Sequence, residues 1–158
     1  MTRFLAFLLP LCAAAAAPAQ GLHPGAEVVL GSATNTIGAA LSLRLGHAEL
    51  FLGTGYHFES GSRAELPLHA GARLFSGDGQ GLMLVAHALY SRGFDGGIGR
   101  RLVAGLDAGY RARRDHAFIE AFAGPAIQHD YEQPYLKTAP STRLATLPEV
   151  GVGFGVEL

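Results

Sequence analysis

The sequence predicts an all-β chain, an antiparallel up-and-down transmembrane β-barrel of about eight strands. Three observations carry this. From Thr36 to Tyr56, Ile37, Ala39, Leu41, Leu43, Leu45, Ala48, Leu50, Leu52, Thr54 and Tyr56 share one face of a hairpin, while Arg44, Glu49 and glycines share the other. The same alternation recurs down the chain, punctuated by tight turns that alternate with looser segments. It begins after a stretch that reads as a secretion signal.

That stretch has Arg3 as its positive region, the apolar run Phe4 to Leu11, and a small-residue cleavage site at Ala17-Pro18-Ala19. The run is too short to span a bilayer. The expected division is a signal peptide over residues 1–19 and one barrel domain over 20–158. Cleavage after Ala19 removes Cys12, the chain's 1 cysteine, so packing and backbone hydrogen bonds must supply stability without disulfides. A net charge of −1 at pH 7 offers no basic surface for nucleic acid. Lys137 is the lone lysine; the other cations are arginines, which suit buried ion pairs better than lysine does.

The predicted strands are 26–32, 36–46, 47–58, 64–76, 82–91, 101–113, 116–128 and 148–158. Tight connections fall at Gly46-His47, Gly77-Asp78-Gly79 and Arg114-Asp115. Looser ones surround Thr34-Asn35 and cover 59–63, 92–100 and the long 129–147. Short turns at one end and long loops at the other are the layout of an outer-membrane barrel. A two-residue turn at Gly46-His47 sets Leu45 against Ala48 and Arg44 against Glu49. A three-residue turn at 77–79 sets Leu74, Ala72 and Ala70 against Leu82, Leu84 and Ala86, and His69 opposite His87. A turn at Arg114-Asp115 sets Ala112, Tyr110 and Ala108 against Ala117, Ile119 and Ala121, with Arg111 and Glu120 as diagonal neighbours. Pro67 and Pro125 each remove a ladder hydrogen bond and are expected to mark bulges or strand breaks.

Which face points outward follows from the mixture on the polar one. Beside its charges it carries Phe51, Phe75, Met83, Val85, Leu89, Phe118 and Phe122 and many glycines. Glycine weakens an exposed strand but makes room in a crowded interior, so this face is expected to line the lumen. A soluble lipocalin-like barrel binding a small apolar ligand would place the leucines inside instead.

The last strand carries Val150, Val152, Phe154, Val156 and Leu158 as one apolar row. It resembles the C-terminal assembly signal of outer-membrane barrels, although Leu158 stands where a terminal aromatic is usual. Through this row, the alternation and the turn layout, residues 20–158 resemble the small OmpA- and OmpX-like barrels. The resemblance implies a monomeric, porin-like protein of the Gram-negative outer membrane. Its partners would be outer-membrane lipid and lipopolysaccharide, and the barrel-assembly machinery during biogenesis. Its role would be envelope integrity, adhesion or ligand binding through surface loops.

An eight-stranded interior is just wide enough for side chains to fill. Arg44, Glu49, His69, Arg73, His87, Asp107, Arg111 and Glu120 are expected to form a luminal polar network that plugs it, together with Glu27, Glu65, Arg101, Glu149 and Glu157. Tyr131, Tyr135, Lys137 and Arg143 are the contact candidates of the 129–147 loop. Tyr56, Phe58, Tyr90 and Phe94 at the loop end and Tyr110 at the turn end suit interfacial girdles. No catalytic, cofactor-binding or metal residue is assigned. Two imidazoles at 69 and 87 can bind a metal, but a zinc site needs a third ligand, and His57 and Glu65 depend on loop register. The favoured reading is a polar stack bonded to Ser91 or Glu65. A barrel enzyme acting on lipid A acyl chains needs a serine within reach of a histidine. His87 and Ser91 stand about 13 Å apart along a strand, which leaves His129, Asp130 and Ser141 as the set that can converge. The His-x-Ser motif of the lipid A 3-O-deacylases is absent.

Overall fold

The computed structural model describes residues 22–31, 36–57, 67–92, 98–133 and 141–158. Eight strands follow in order: β1 (Leu22–Gly31), β2 (Thr36–Leu45), β3 (Ala48–His57), β4 (Leu68–Phe75), β5 (Gly81–Arg92), β6 (Ile98–Arg114), β7 (Ala117–Gln133) and β8 (Ser141–Glu157). Each pairs antiparallel with the next, and β1 pairs with β8 to close the barrel, with no free edge among the described strands. The leader 1–19 with Cys12, and also Phe58, Glu65, Phe94, Tyr135 and Lys137, lie outside the described residues.

The wall is inside-out relative to a soluble barrel. Leu41 is 72% exposed and Leu82 68%, and Leu52, Leu74, Leu84, Leu106, Ile119, Phe154 and Val156 also face outward. Inside lie Arg44, Glu49, Arg73, Asp107, Arg111, Glu120 and Glu149, interleaved with Phe51, Phe75, Met83, Val85, Phe118 and Phe122. The lipocalin-like arrangement is therefore reversed here. Gly151 and Gly71 show why the polar face is rich in glycine: a Cβ on Gly151 would stand 2.2 Å from Phe122 Cζ, and one on Gly71 2.5 Å from Phe51 Cζ.

At Gly46-His47 the turn has the predicted register, Leu45↔Ala48 and Arg44↔Glu49, with Gly46 at φ 57° supplying the positive φ that tight hairpins need. The other two turns differ by two residues. Leu74 pairs with Leu84, Ala72 with Ala86 and Ala70 with Ala88, because Ser76 N–H bonds to Leu82 C=O at 2.8 Å and Gly79 and Gly81, both at positive φ, let the chain wrap a wider connection. Arg114 pairs with Ala117, Ala112 with Ile119 and Tyr110 with Ala121, with the turn at Asp115-His116 and Asp115 itself at φ 54°. A two-residue slide leaves every side chain on its own face, so alternation does not resist it. Pro67 sits just before β4, its carbonyl accepting from Thr54 Oγ1 at 2.8 Å. Pro125 lies within β7, where the β6–β7 pairing passes from Gly105↔Ala126 to Ala108↔Ala123.

β1 to β5 have 8 to 12 residues each, and β6, β7 and β8 have 17. A tilted strand crosses a bilayer with about 9–11 residues, so β6, β7 and β8 extend past the height of the rest. Much of the segment read as a 129–147 loop is thus strand. Tyr131 lies on β7 opposite Thr142, and Arg143 on β8 opposite Asp130.

Candidate functional site

The luminal side chains fall into layers, followed along β6 from the turn end: Arg113, Arg111, Asp107, Val103, Arg101. At the turn end Arg44 donates from Nε to both oxygens of Glu157 at 3.0 Å and from Nη1 to Gly46 C=O at 3.0 Å, and it also pairs with Asp78. Arg113 reaches Glu157 at 3.2 Å. Arg44 and Glu49 are therefore cross-strand neighbours without being partners. Barrel closure brings Glu157 of β8 onto the Arg44 guanidinium, and Glu49 turns to the arginines of the next layer.

There Arg111 Nη1 donates to Glu49 Oε2 at 2.7 Å and Nη2 to Oε1 at 2.9 Å, while Nε and Nη2 donate to Glu120 Oε2 at 2.9 and 2.7 Å. Arg73 donates to Glu49, and to Glu27 Oε1 at 2.7 Å, with Glu120 Oε1 3.0 Å away. Arg111 and Glu120 are direct cross-strand partners rather than diagonal ones. Each guanidinium also stacks on aromatic rings, Arg73 over Phe51 at 4.1 Å and Arg111 over Phe118 at 4.0 Å. Two arginines and three glutamates thus form a cross-bonded set in which Glu27 Oε2, Glu120 Oε1 and Arg73 Nε make no hydrogen bond, although Glu120 Oε1 stays within ion-pair distance of Arg73.

The third layer differs. The shifted register makes His69 and His87 diagonal rather than opposite: His69 pairs with Leu89 and His87 with Gly71. Their rings still meet edge to face, with His69 Nε2 3.3 Å from His87 Nδ1. His87 Nε2 points to Asp107 Oδ2 at 3.0 Å and Glu149 Oε2 at 3.1 Å. The expected bond from the histidine stack to Ser91 is not made; Ser91 Oγ is buried and has no partner. Above this layer Leu89, Val103 and Ala126 form an apolar cluster. Near the loop end Arg101 Nε donates to Asp130 Oδ1 at 2.8 Å and Gln128 Nε2 to Asp130 Oδ2 at 2.7 Å.

Asp107, Glu149 and His87 come from β6, β8 and β5, and the sequence reading did not join them. The available signal was that Gly124, directly opposite Glu149, carries no side chain to separate Glu149 from Asp107; a Cβ there would stand 2.5 Å from Asp107 Oδ1. The set proposed for acyl-chain chemistry is not assembled: His129 is exposed on the outer face of β7, whereas Asp130 faces inward and is held by Arg101.

No protein-family model and no curated protein matches this sequence. Among solved structures, a chain described as "De novo design of transmembrane beta-barrels" is similar with 18% identity and a TM-score of 0.42, over 87% of this chain and 94% of that one. A likeness of that degree carries no argument, and the architecture rests on its own strand pairing: the chain is a closed, eight-stranded, antiparallel up-and-down β-barrel with its apolar face outward.

Proposed function

We propose that this chain is an integral barrel of a Gram-negative outer membrane, with its lumen plugged by side chains, acting through the part of the molecule that extends past the membrane band. The observation that carries the reading is the inverted wall: leucines, isoleucines and valines face out over every strand pair while buried arginines and carboxylates face in. Only an apolar solvent rewards that arrangement. Among the described residues the stacked ion-pair layers and the apolar cluster of Leu89, Val103 and Ala126 fill the lumen with buried side chains, which argues against a channel.

The working surface is then the three-stranded extension of β6, β7 and β8. On its outer face exposed Arg100, half-buried Tyr131 and exposed Thr142 form one cross-strand row, while exposed Arg143 lies on the other face, opposite Asp130. A cation beside an aromatic on a rigid sheet suits adhesion or the binding of an anionic ligand better than catalysis. The deciding experiment is fractionation followed by gel electrophoresis of unheated and boiled samples. Recovery in detergent-extracted outer membranes with heat-modifiable migration is expected. Recovery as soluble protein in a periplasmic extract overturns the reading, and stepwise conductance in planar bilayers overturns the plugged lumen.

A further inference from the structure

We infer that His87, Asp107 and Glu149 form a binding site for one divalent transition-metal ion, of the zinc or manganese class, in the middle of the barrel. One ligand atom from each residue lies within 4.8 Å of the others. His87 Nε2 is 3.0 Å from Asp107 Oδ2 and 3.1 Å from Glu149 Oε2. Ligands on a metal at about 2.0–2.2 Å stand about 3.3–3.6 Å apart in a tetrahedron, so the two carboxylate oxygens need move only a few tenths of an ångström further from His87 Nε2 to admit the ion.

Three independent observations point to a cation. First, His87 Nε2, both oxygens of Asp107 and Glu149 Oε2 are buried and have no hydrogen-bond partner beyond the short contacts to His87. Two buried carboxylates that share one imidazole leave at least one negative charge uncompensated, which is costly, and neither forms an ion pair with an arginine among the described residues. Second, His69 Nε2 stands at the far nitrogen of His87. When His87 donates from Nδ1 to it, its Nε2 lone pair is turned toward the two carboxylates, the tautomer and the second contact that metal-ligating histidines use. Third, the space is carved out by absent side chains. His87 lies between Gly71 and Gly105 on the flanking strands, and a Cβ on Gly105 would stand 2.2 Å from His87 Nε2 and 3.0 Å from Glu149 Oε2. A cavity of about 30 Å³ bordered by His69, His87 and Glu149 has room for a water as fourth ligand. One imidazole, two carboxylates and a water match the donors that zinc and manganese accept, and the two carboxylates neutralise the ion.

The site is enclosed, so the test loads it during folding. Tag-free chain is refolded from urea into detergent micelles with Zn(II), with Mn(II) or with EDTA, freed of excess ion on a sizing column, and its metal counted by mass spectrometry. Heat-modifiable migration reports that each sample is folded. One equivalent of Zn(II) or Mn(II) per chain is expected in the wild type, with a loss of at least about 10–100-fold in affinity in Asp107→Asn and Glu149→Gln and no change in His129→Ala. Cobalt(II) in place of zinc gives a second readout on the unaltered chain, the visible absorption of a nitrogen- and oxygen-ligated ion. Folded wild type that retains no stoichiometric metal and shows no such absorption overturns the inference. So does equal retention by folded Asp107→Asn and Glu149→Gln.

Discussion

Two neighbouring layers of the lumen solve the problem of buried charge differently. In the Arg73/Arg111 layer each of Glu27, Glu49 and Glu120 accepts a hydrogen bond from a guanidinium, with Glu27 Oε2, Glu120 Oε1 and Arg73 Nε left over, and the guanidiniums stack on Phe51, Phe75 and Phe118. In the His87 layer two carboxylates crowd one imidazole, with four polar atoms left without hydrogen bonds. In the first every carboxylate is held by a permanently charged guanidinium, and the layer reads as a girder. In the second the two carboxylates share one imidazole and no arginine, and its chemistry is completed from outside the chain. Whether a buried carboxylate has a permanent cation of the chain beside it, rather than charge as such, separates a structural layer from a binding one.

Breaking the closed layer gives the largest expected effect. Arg111→Met leaves Glu27, Glu49 and Glu120 to share Arg73 alone and is expected to cost about 3–5 kcal/mol, read as a fall in the urea midpoint of vesicle-folded protein; a loss under about 1 kcal/mol would mean that the layer does not depend on Arg111. Next, Leu41→Arg on the outer face is expected to cost about 2–4 kcal/mol in lipid if Leu41 lies near the bilayer midplane, whereas a water-facing position would tolerate it. Gly105→Ala presses a methyl on His87 and is expected to cost about 1–3 kcal/mol and to abolish metal retention. The smallest effect reverses sign: in metal-free protein Asp107→Asn removes one uncompensated charge and is expected to stabilise by about 1 kcal/mol. With metal present the same change is expected to lower the urea midpoint. An Asp107→Asn that destabilises equally with and without metal would place His87 in an ordinary ion pair and erase the contrast.

Much of the barrel was legible residue by residue. Period-two alternation put Arg73 and Leu74 on opposite faces, and Phe and Met among the charges indicated which face turns inward. The partners were harder to read. Arg44 stands across from Glu49 on adjacent strands yet binds Glu157, because a long guanidinium arm reaches along the lumen to whichever strand closure brings near. The polar residues of 129–147 suggest a loop, but the polarity of Asp130 belongs to an inward strand position, where Arg101 holds it.

By itself the sequence determined parity: which side chains share a face, because a one-residue slip would exchange the leucines for charges at prohibitive cost. Register and shear were decided only by the tertiary structure, since a two-residue slide preserves every face and is settled by positive φ at Gly79, Gly81 and Asp115. That slide, with closure of β8 on β1, seats His87 between two glycines and brings to it Asp107 of the adjacent β6 and Glu149 of β8, which is distant in sequence.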